Sequence, residues 1–278
     1  MVCGSSIGAL VGAAYASGQL DKLETWCTSL AWTTVVRLMD LSWSGGLIRG
    51  ARLFNLFNTI LDDVDIDKLS VPYGAVATEL GSGREIWLRH GKMLDAVRAS
   101  CALPGIFRPA VRDGVLLVDG GLVNPVPVSM CRALGADIVI AIDLSWGKLG
   151  VYRDKGKGKG ELQALPDGTV EMPVAPTQMP GWLGKLGRGW MARTAKKVEE
   201  QMREQVRMPS IIEVFTTSLD IVEMRVARSR LSGDPADVLL TPLLPGFRTM
   251  DFHRAKEAIE EGRASVERMA PLIEQVIG

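Results

Sequence analysis

The chain has 278 residues, 47% of them hydrophobic, enough to bury a substantial core as one large domain or one domain with an insertion. Its 32 basic and 32 acidic side chains cancel, which argues against nucleic acid or an anionic membrane surface as the principal partner. Any lipid contact is then expected to be apolar and local. Cys3, Cys27, Cys101 and Cys131 lack C-x-x-C spacing and are too sparse for a disulfide scaffold. They read as small buried apolar residues in a reducing compartment.

Residues 1–5 read as the end of a short strand that turns between Gly4 and Gly8 into a helix of small residues over 9–17, closed by Gly18. Helical spacing of apolar residues follows over 20–39 and 47–61, with Trp26, Trp32 and Trp43 within and between. This layer suits either core packing or the lipid-facing wall of a site. Strands are expected over 71–80 and 85–89, joined by a hairpin at Gly81-Ser82-Gly83. A short helix over 94–102 stops at Pro104-Gly105.

The apolar run 115–118 predicts a buried strand that delivers Asp119 at its carboxyl end. A helix over 127–134 and a strand over 138–142 come next. Alternating strands and helices predict an α/β fold with a mostly parallel sheet covered on both faces. From 147 to about 187 the lysine–glycine run 155–160 and scattered prolines predict a flexible surface insertion. A helix over 190–226, a last strand over 238–240 and a terminal helix over 252–276 complete the chain. The expected organisation is one domain over 1–278, with a core at 1–146, the insertion at about 147–188 and a C-terminal segment at 189–278. With no basic leader and no uncharged run of bilayer length, the chain is expected to be cytoplasmic or peripheral to a membrane.

Gly4-Ser5-Ser6-Ile7-Gly8 matches G-x-S-x-G, the sharp strand-to-helix turn that exposes a nucleophilic serine. The two glycines would prevent side-chain collisions where helix meets strand, and the helix would point its positive end at a developing oxyanion. In a chain this rich in glycine and serine, the same pattern also arises as a plain turn with a capping serine. A serine needs a proton acceptor, and the two histidines, His90 and His253, read more simply as surface or capping residues. Of the two, His253 alone could complete a Ser-His-Asp triad. Asp119, ending a buried strand before two glycines, could act directly as base, or merely cap a D-G turn.

Three ordered segments go further: Gly4-Ser5-Ser6-Ile7-Gly8-Ala9-Leu10, the run 98–107 (RASCALPGIF), and Asp119-Gly120-Gly121 followed by 122–127 (LVNPVP). Together they resemble the patatin-like phospholipase family, in its bacterial and neuropathy target esterase-like branch. The resemblance covers residues 1–145 clearly. It implies a three-layer α/β/α fold and acyl-ester hydrolysis of phospholipids or lysophospholipids, with neither metal nor other cofactor. It also implies a dyad of Ser6 as nucleophile and Asp119 as base, without a catalytic histidine. Gly4, Ile7, Gly8, Gly120 and Gly121 would be the motif residues around the oxyanion.

Family members carry a first strand and a glycine-rich oxyanion loop ahead of the serine, whereas this chain starts at the nucleophile strand. Either Met1 is an internal start, or the chain is a degraded relative serving as a lipid-binding or regulatory module. The Ile7 N–H is then the oxyanion donor that remains, and loss of another costs about 2.7–4 kcal/mol of transition-state stabilisation.

Overall fold

The computed structural model describes residues 1–30, 34, 57–145, 211–247 and 251–278, with Ile212 by its backbone alone. Met1–Leu149 and Phe215–Gly278 form one compact unit, with Gly150–Val214 outside it. The predicted insertion, most of the tryptophan-bearing layer and the start of the helix predicted over 190–226 lie outside the described residues.

Strand β1 (Val2–Ser5) runs into helix α1 (Ile7–Ala16), and α2 (Leu20–Ser29) follows directly. Strands β2 (Tyr73–Glu79) and β3 (Glu85–Leu88) form the predicted hairpin, and α3 (Met93–Ser100) comes next. Then come β4 (Ala110–Arg112), β5 (Val115–Asp119), α4 (Val128–Ala133) and β6 (Ile140–Ile142). The C-terminal part holds α5 (Ile211–Gly233), β7 (Val238–Leu240) and α6 (Ala255–Ile277). The strand β4 has no counterpart in the sequence reading. It pairs with β5 across Asp113-Gly114, whose φ values of 50° and 76° suit a tight two-residue hairpin.

The fold is α/β in three layers. Tyr73 donates its hydroxyl to the Ala9 carbonyl of α1 at 2.8 Å, while a Cβ added to the next residue, Gly74, would meet Met130 of α4 at 2.1 Å. Successive strand residues face opposite sides, so the sheet lies between α1 and α4. Small residues let α1 approach: Ala9, Ala13 and Ala14 are fully buried, and a Cβ on Gly12 would come within 2.9 Å of Val2.

Pairings within the sheet bring the site together. β1 runs parallel to β2, with Ser5 opposite Val76, and β5 runs antiparallel to it, with Asp119 opposite Ala77. β3 pairs with β2 over residues 75–78, overlapping both. A strand has two edges, so β1 and β5 must share the edge opposite β3 and meet there head-on. Their carboxyl ends, Ser5 and Asp119, therefore face consecutive residues of β2. The sheet is mixed because this meeting needs one parallel and one antiparallel partner on a single edge. A second, two-stranded sheet joins β6 and β7 in parallel. Among the described residues, no helix is long and apolar enough to cross a membrane.

Candidate active site

Ser6 sits between β1 and α1 with φ 53° and ψ −123°, a backbone conformation rarely adopted by a residue with a side chain. Such a residue costs on the order of 1–3 kcal/mol and persists only where its surroundings impose it. Here those surroundings are identifiable. The Ser6 N–H donates to Ser100 Oγ at 2.9 Å, and the Ser100 hydroxyl donates to the Val76 carbonyl at 2.6 Å. The Ser6 carbonyl accepts from the Ala9 N–H at 2.9 Å and from the Cys101 thiol at 3.0 Å. Burial, and then the neighbouring Asp119 carboxylate, push the Cys101 thiol well above its usual range, so it serves as a neutral donor.

The hydroxyl of Ser6 donates to Asp119 Oδ2 at 2.6 Å. Asp119 is 0% exposed, and its other oxygen, Oδ1, accepts the Gly121 N–H at 2.8 Å. Its backbone is pinned too: the N–H donates to the Ala102 carbonyl at 3.0 Å, and the carbonyl accepts from Thr78 Oγ1 at 2.8 Å. One carboxylate oxygen is thus held in place by a backbone amide while the other faces the serine. Asp119 caps its turn, as the plainer reading of D-G allowed, and meets Ser6 as well.

The four motif glycines are not equivalent. A Cβ on Gly4 would stand 2.3 Å from the Gly8 carbonyl carbon, and one on Gly120 would stand 2.1 Å from the Val76 carbonyl oxygen. Neither position tolerates a side chain. A Cβ on Gly121 would meet the movable end of Glu223 at 2.8 Å, and one on Gly8 would meet nothing within 4 Å. The steric task expected of both elbow glycines belongs to Gly4 alone. Gly8 is the backbone that Gly4 must clear. The amides of Ile7 and Gly8 open α1 and so have no helical acceptor, with the positive end of the helix immediately behind Ser6.

His90 is exposed and pairs with Asp67 at 2.5 Å, and His253 lies in a single turn of 3-10 helix, Phe252–Arg254. Neither is a partner of the Ser6 hydroxyl. Cys3, Cys27, Cys101 and Cys131 form no disulfide and, read from the sequence as buried, are of intermediate exposure. Among the described residues, no group of three or more His, Cys, Asp or Glu side chains is arranged to hold a metal ion.

Ser6 opens on a cavity of about 560 Å³ whose walls include Leu10, Leu23, Phe57, Leu103, Phe107 and Ile259. This is room for an apolar chain. Ser100, Thr78 and Val76 received no role from the sequence. Ser100 stood inside one of the quoted motifs, but its task depends on a partner 94 residues away.

The patatin-like phospholipase model matches residues 1–132. An "uncharacterized NTE family protein" of Mycobacterium bovis is 32% identical over 309 residues, covering 95% of this chain and 81% of that protein. Patatin-like phospholipase domain-containing protein 6 of Pongo abelii is 32% identical over 273 residues, covering 94% of this chain and 17% of that protein. For patatin-like phospholipase domain-containing protein 7 of Rattus norvegicus the identity is 31% over 270 residues, covering 94% of this chain and 18% of that protein.

Proposed function

Because this chain belongs to the patatin-like phospholipase family, we propose that it is a serine acyl hydrolase acting on lipid esters, phospholipids or lysophospholipids, through Ser6 and Asp119. The observation that carries the reading is the 2.6 Å hydrogen bond from the Ser6 hydroxyl to a fully buried carboxylate. As Ser6 Oγ attacks the ester carbonyl carbon, its proton passes to Asp119 Oδ2. The negative charge that develops on the carbonyl oxygen is met by the Ile7 N–H at the head of α1.

Collapse of the tetrahedral intermediate breaks the bond to the alcohol, which leaves with the proton from Asp119, and the acyl group remains on Ser6. Water then gives a proton to Asp119 and attacks the acyl-enzyme. Ser6 departs with that proton, and the sum is ester plus water to acid plus alcohol. The apolar cavity suits the acyl chain, which favours a lipid over a small polar ester. A membrane surface would be approached peripherally.

The test is covalent labelling with a fluorophosphonate, which phosphonylates an activated serine with loss of fluoride, on the protein and on Ser6→Ala. Labelling that vanishes in Ser6→Ala supports an activated nucleophile. No labelling of the folded protein would favour a lipid-binding module that retains the fold, and labelling that persists in Ser6→Ala would move the nucleophile elsewhere.

A further inference from the structure

Outside the Ser6 cavity, two cysteines far apart in the chain meet on the α4 side of the sheet. Cys3 stands opposite Gly74 in the parallel register of β1 and β2, so the two residues face the same way. That way is toward α4, since Met130 fills the space that a Cβ on Gly74 would take. Cys131 follows Met130 on the helix, and its sulfur accepts hydrogen bonds from both the thiol and the backbone N–H of Cys3. Both residues are of intermediate exposure, and neither is in a disulfide.

The two thiols are not alike. The hydrogen bonds from Cys3 favour a negative charge on the Cys131 sulfur and, against the opposing effect of burial, pull its thiol down to about 7. Cys3 would give up its bond to Cys131 on losing its proton, and this, together with burial, keeps its thiol well above the usual range. Burial alone pushes Cys27 up to about 11 and also holds the Cys101 thiol neutral. Oxidants are attacked by a thiolate rather than a thiol, and the oxidised sulfur closes to a disulfide when a second thiol stands within reach. Cys131 is placed for the first step and Cys3 for the second.

We infer that Cys3 and Cys131 form a reversible disulfide when the protein meets a hydroperoxide, tying the strand that leads into the Ser6 turn to the helix that follows the Asp119 turn. The Cys131 thiolate attacks the terminal oxygen of the peroxide, and the O–O bond breaks. The alkoxide leaves and takes up the proton that Cys131 had given to solvent, and Cys131 is left as a sulfenic acid. The Cys3 sulfur then displaces hydroxide from the Cys131 sulfur, and its own proton turns that hydroxide into water. Two thiols are oxidised and one hydroperoxide is reduced, giving one disulfide, one alcohol and one water. A dithiol returns the pair to thiols by exchange through a mixed disulfide. None of this depends on hydrolysis at Ser6.

Trypsin leaves Cys3, Cys27, Cys101 and Cys131 on separate peptides, so the pairing can be read directly. The reduced, folded protein is treated with equimolar hydrogen peroxide, the remaining thiols are alkylated, and the digest is analysed by mass spectrometry. The main product expected is the Cys3 peptide joined to the Cys131 peptide with the loss of two hydrogens, and dithiothreitol should restore both thiols. In Cys3→Ser, Cys131 should stop at a sulfenic acid that dimedone captures, and in Cys131→Ser, Cys3 should stay reduced. Before oxidation, iodoacetamide at pH about 7 should alkylate Cys131 at least about 10-fold faster than Cys27. The linked protein should melt about 5 °C or more above the reduced one, because the bond closes a long loop in the unfolded chain, and Cys131→Ser should lose that difference. Where a serine variant fails to fold, the product of the unaltered protein decides. No linked peptide from folded protein, a link that forms only after unfolding in urea, links spread evenly over the four cysteines, Cys131 carried to sulfinic acid while Cys3 stays free, or a linked protein that melts no higher than the reduced one each overturns the inference. Fluorophosphonate labelling of Ser6 judges the hydrolase reading separately, so either can fail while the other stands.

Discussion

The two turns that meet at the site achieve close approach by opposite means. Ser6 carries the constraint in its own backbone, at φ 53°, whereas Asp119 sits at an ordinary φ of −49° and ψ of 133° and leaves the tight fit to its neighbour Gly120. Both are nevertheless gauged against one group. The Val76 carbonyl accepts the hydroxyl of Ser100, which in turn holds the Ser6 N–H, and the same carbonyl is what a side chain at residue 120 would strike. A strained residue can be held by hydrogen bonds. The buried carboxylate has hydrogen bonds as well, from the Gly121 N–H and through its backbone to Ala102 and Thr78, and adds to them the close packing at Gly120.

The sharpest way to separate the turns is to change chemistry without changing shape. Asp119→Asn keeps an oxygen for the Gly121 N–H but removes the carboxylate proposed as proton acceptor, so on the proposed mechanism ester hydrolysis should fall by about 10³–10⁴-fold while the unfolding curve barely moves. Measured turnover on a chromogenic ester, beside urea unfolding, checks both halves. A large loss of stability would mean that the aspartate turn is scaffold first.

Gly120→Ala attacks the packing instead. Its Cβ would stand 2.1 Å from the Val76 carbonyl oxygen, so a strand or the turn must shift, at a cost of about 3 kcal/mol or more. Gly8→Ala is its opposite number on the serine side, with open space for the methyl group and a helical position where alanine is favoured by about 0.5–1 kcal/mol. Denaturant midpoints should therefore move in opposite directions. Ser100→Ala is milder than Gly120→Ala. It leaves the Ser6 N–H and the Val76 carbonyl without their partner, for about 1–3 kcal/mol, and fluorophosphonate labelling of Ser6 should slow because the strained turn loses its tether. Unchanged labelling would mean that the bond to Asp119 and the turn's own amides suffice.

Much of this was legible in the chain, and the reasons differ by residue. Ser6 and Asp119 could be singled out as candidates because each lies at the end of a short strand beside glycines, a local pattern, whereas their pairing as a dyad came from the family resemblance. The hairpin of β2 and β3 and the strand Val238–Leu240 were equally local. Ser100 was not, since nothing near it in sequence says that it will bridge β2 and a turn 94 residues earlier. The strand Ala110–Arg112 was missed although Asp113-Gly114 is a strong two-residue hairpin signal, because only three residues precede it and they alternate weakly. Gly8 shows the reverse error. A symmetrical motif invited a symmetrical explanation, but the clash belongs to the Cβ of Gly4 against the backbone of Gly8.

The smallest effect is expected where the molecule touches neither turn. Asp237, just before β7, accepts the Val139 N–H at 2.7 Å and Arg132 at 2.9 Å, and that backbone bond above all holds its carboxyl below the usual carboxylate range. A depressed folded-state value contributes stability that is present above the unfolded value, near 3.8, and is lost as pH falls through the folded value. Asp237→Asn should therefore lower the unfolding midpoint slightly at pH about 7, and the gap should close as the solution is taken below pH about 4. Ser6 labelling should be untouched, because the site is gauged on Val76 rather than on the β6–β7 pair. Were labelling to slow in Asp237→Asn, the serine turn would depend on the second sheet as well, and the contrast between a tethered serine and a packed aspartate would have to include it.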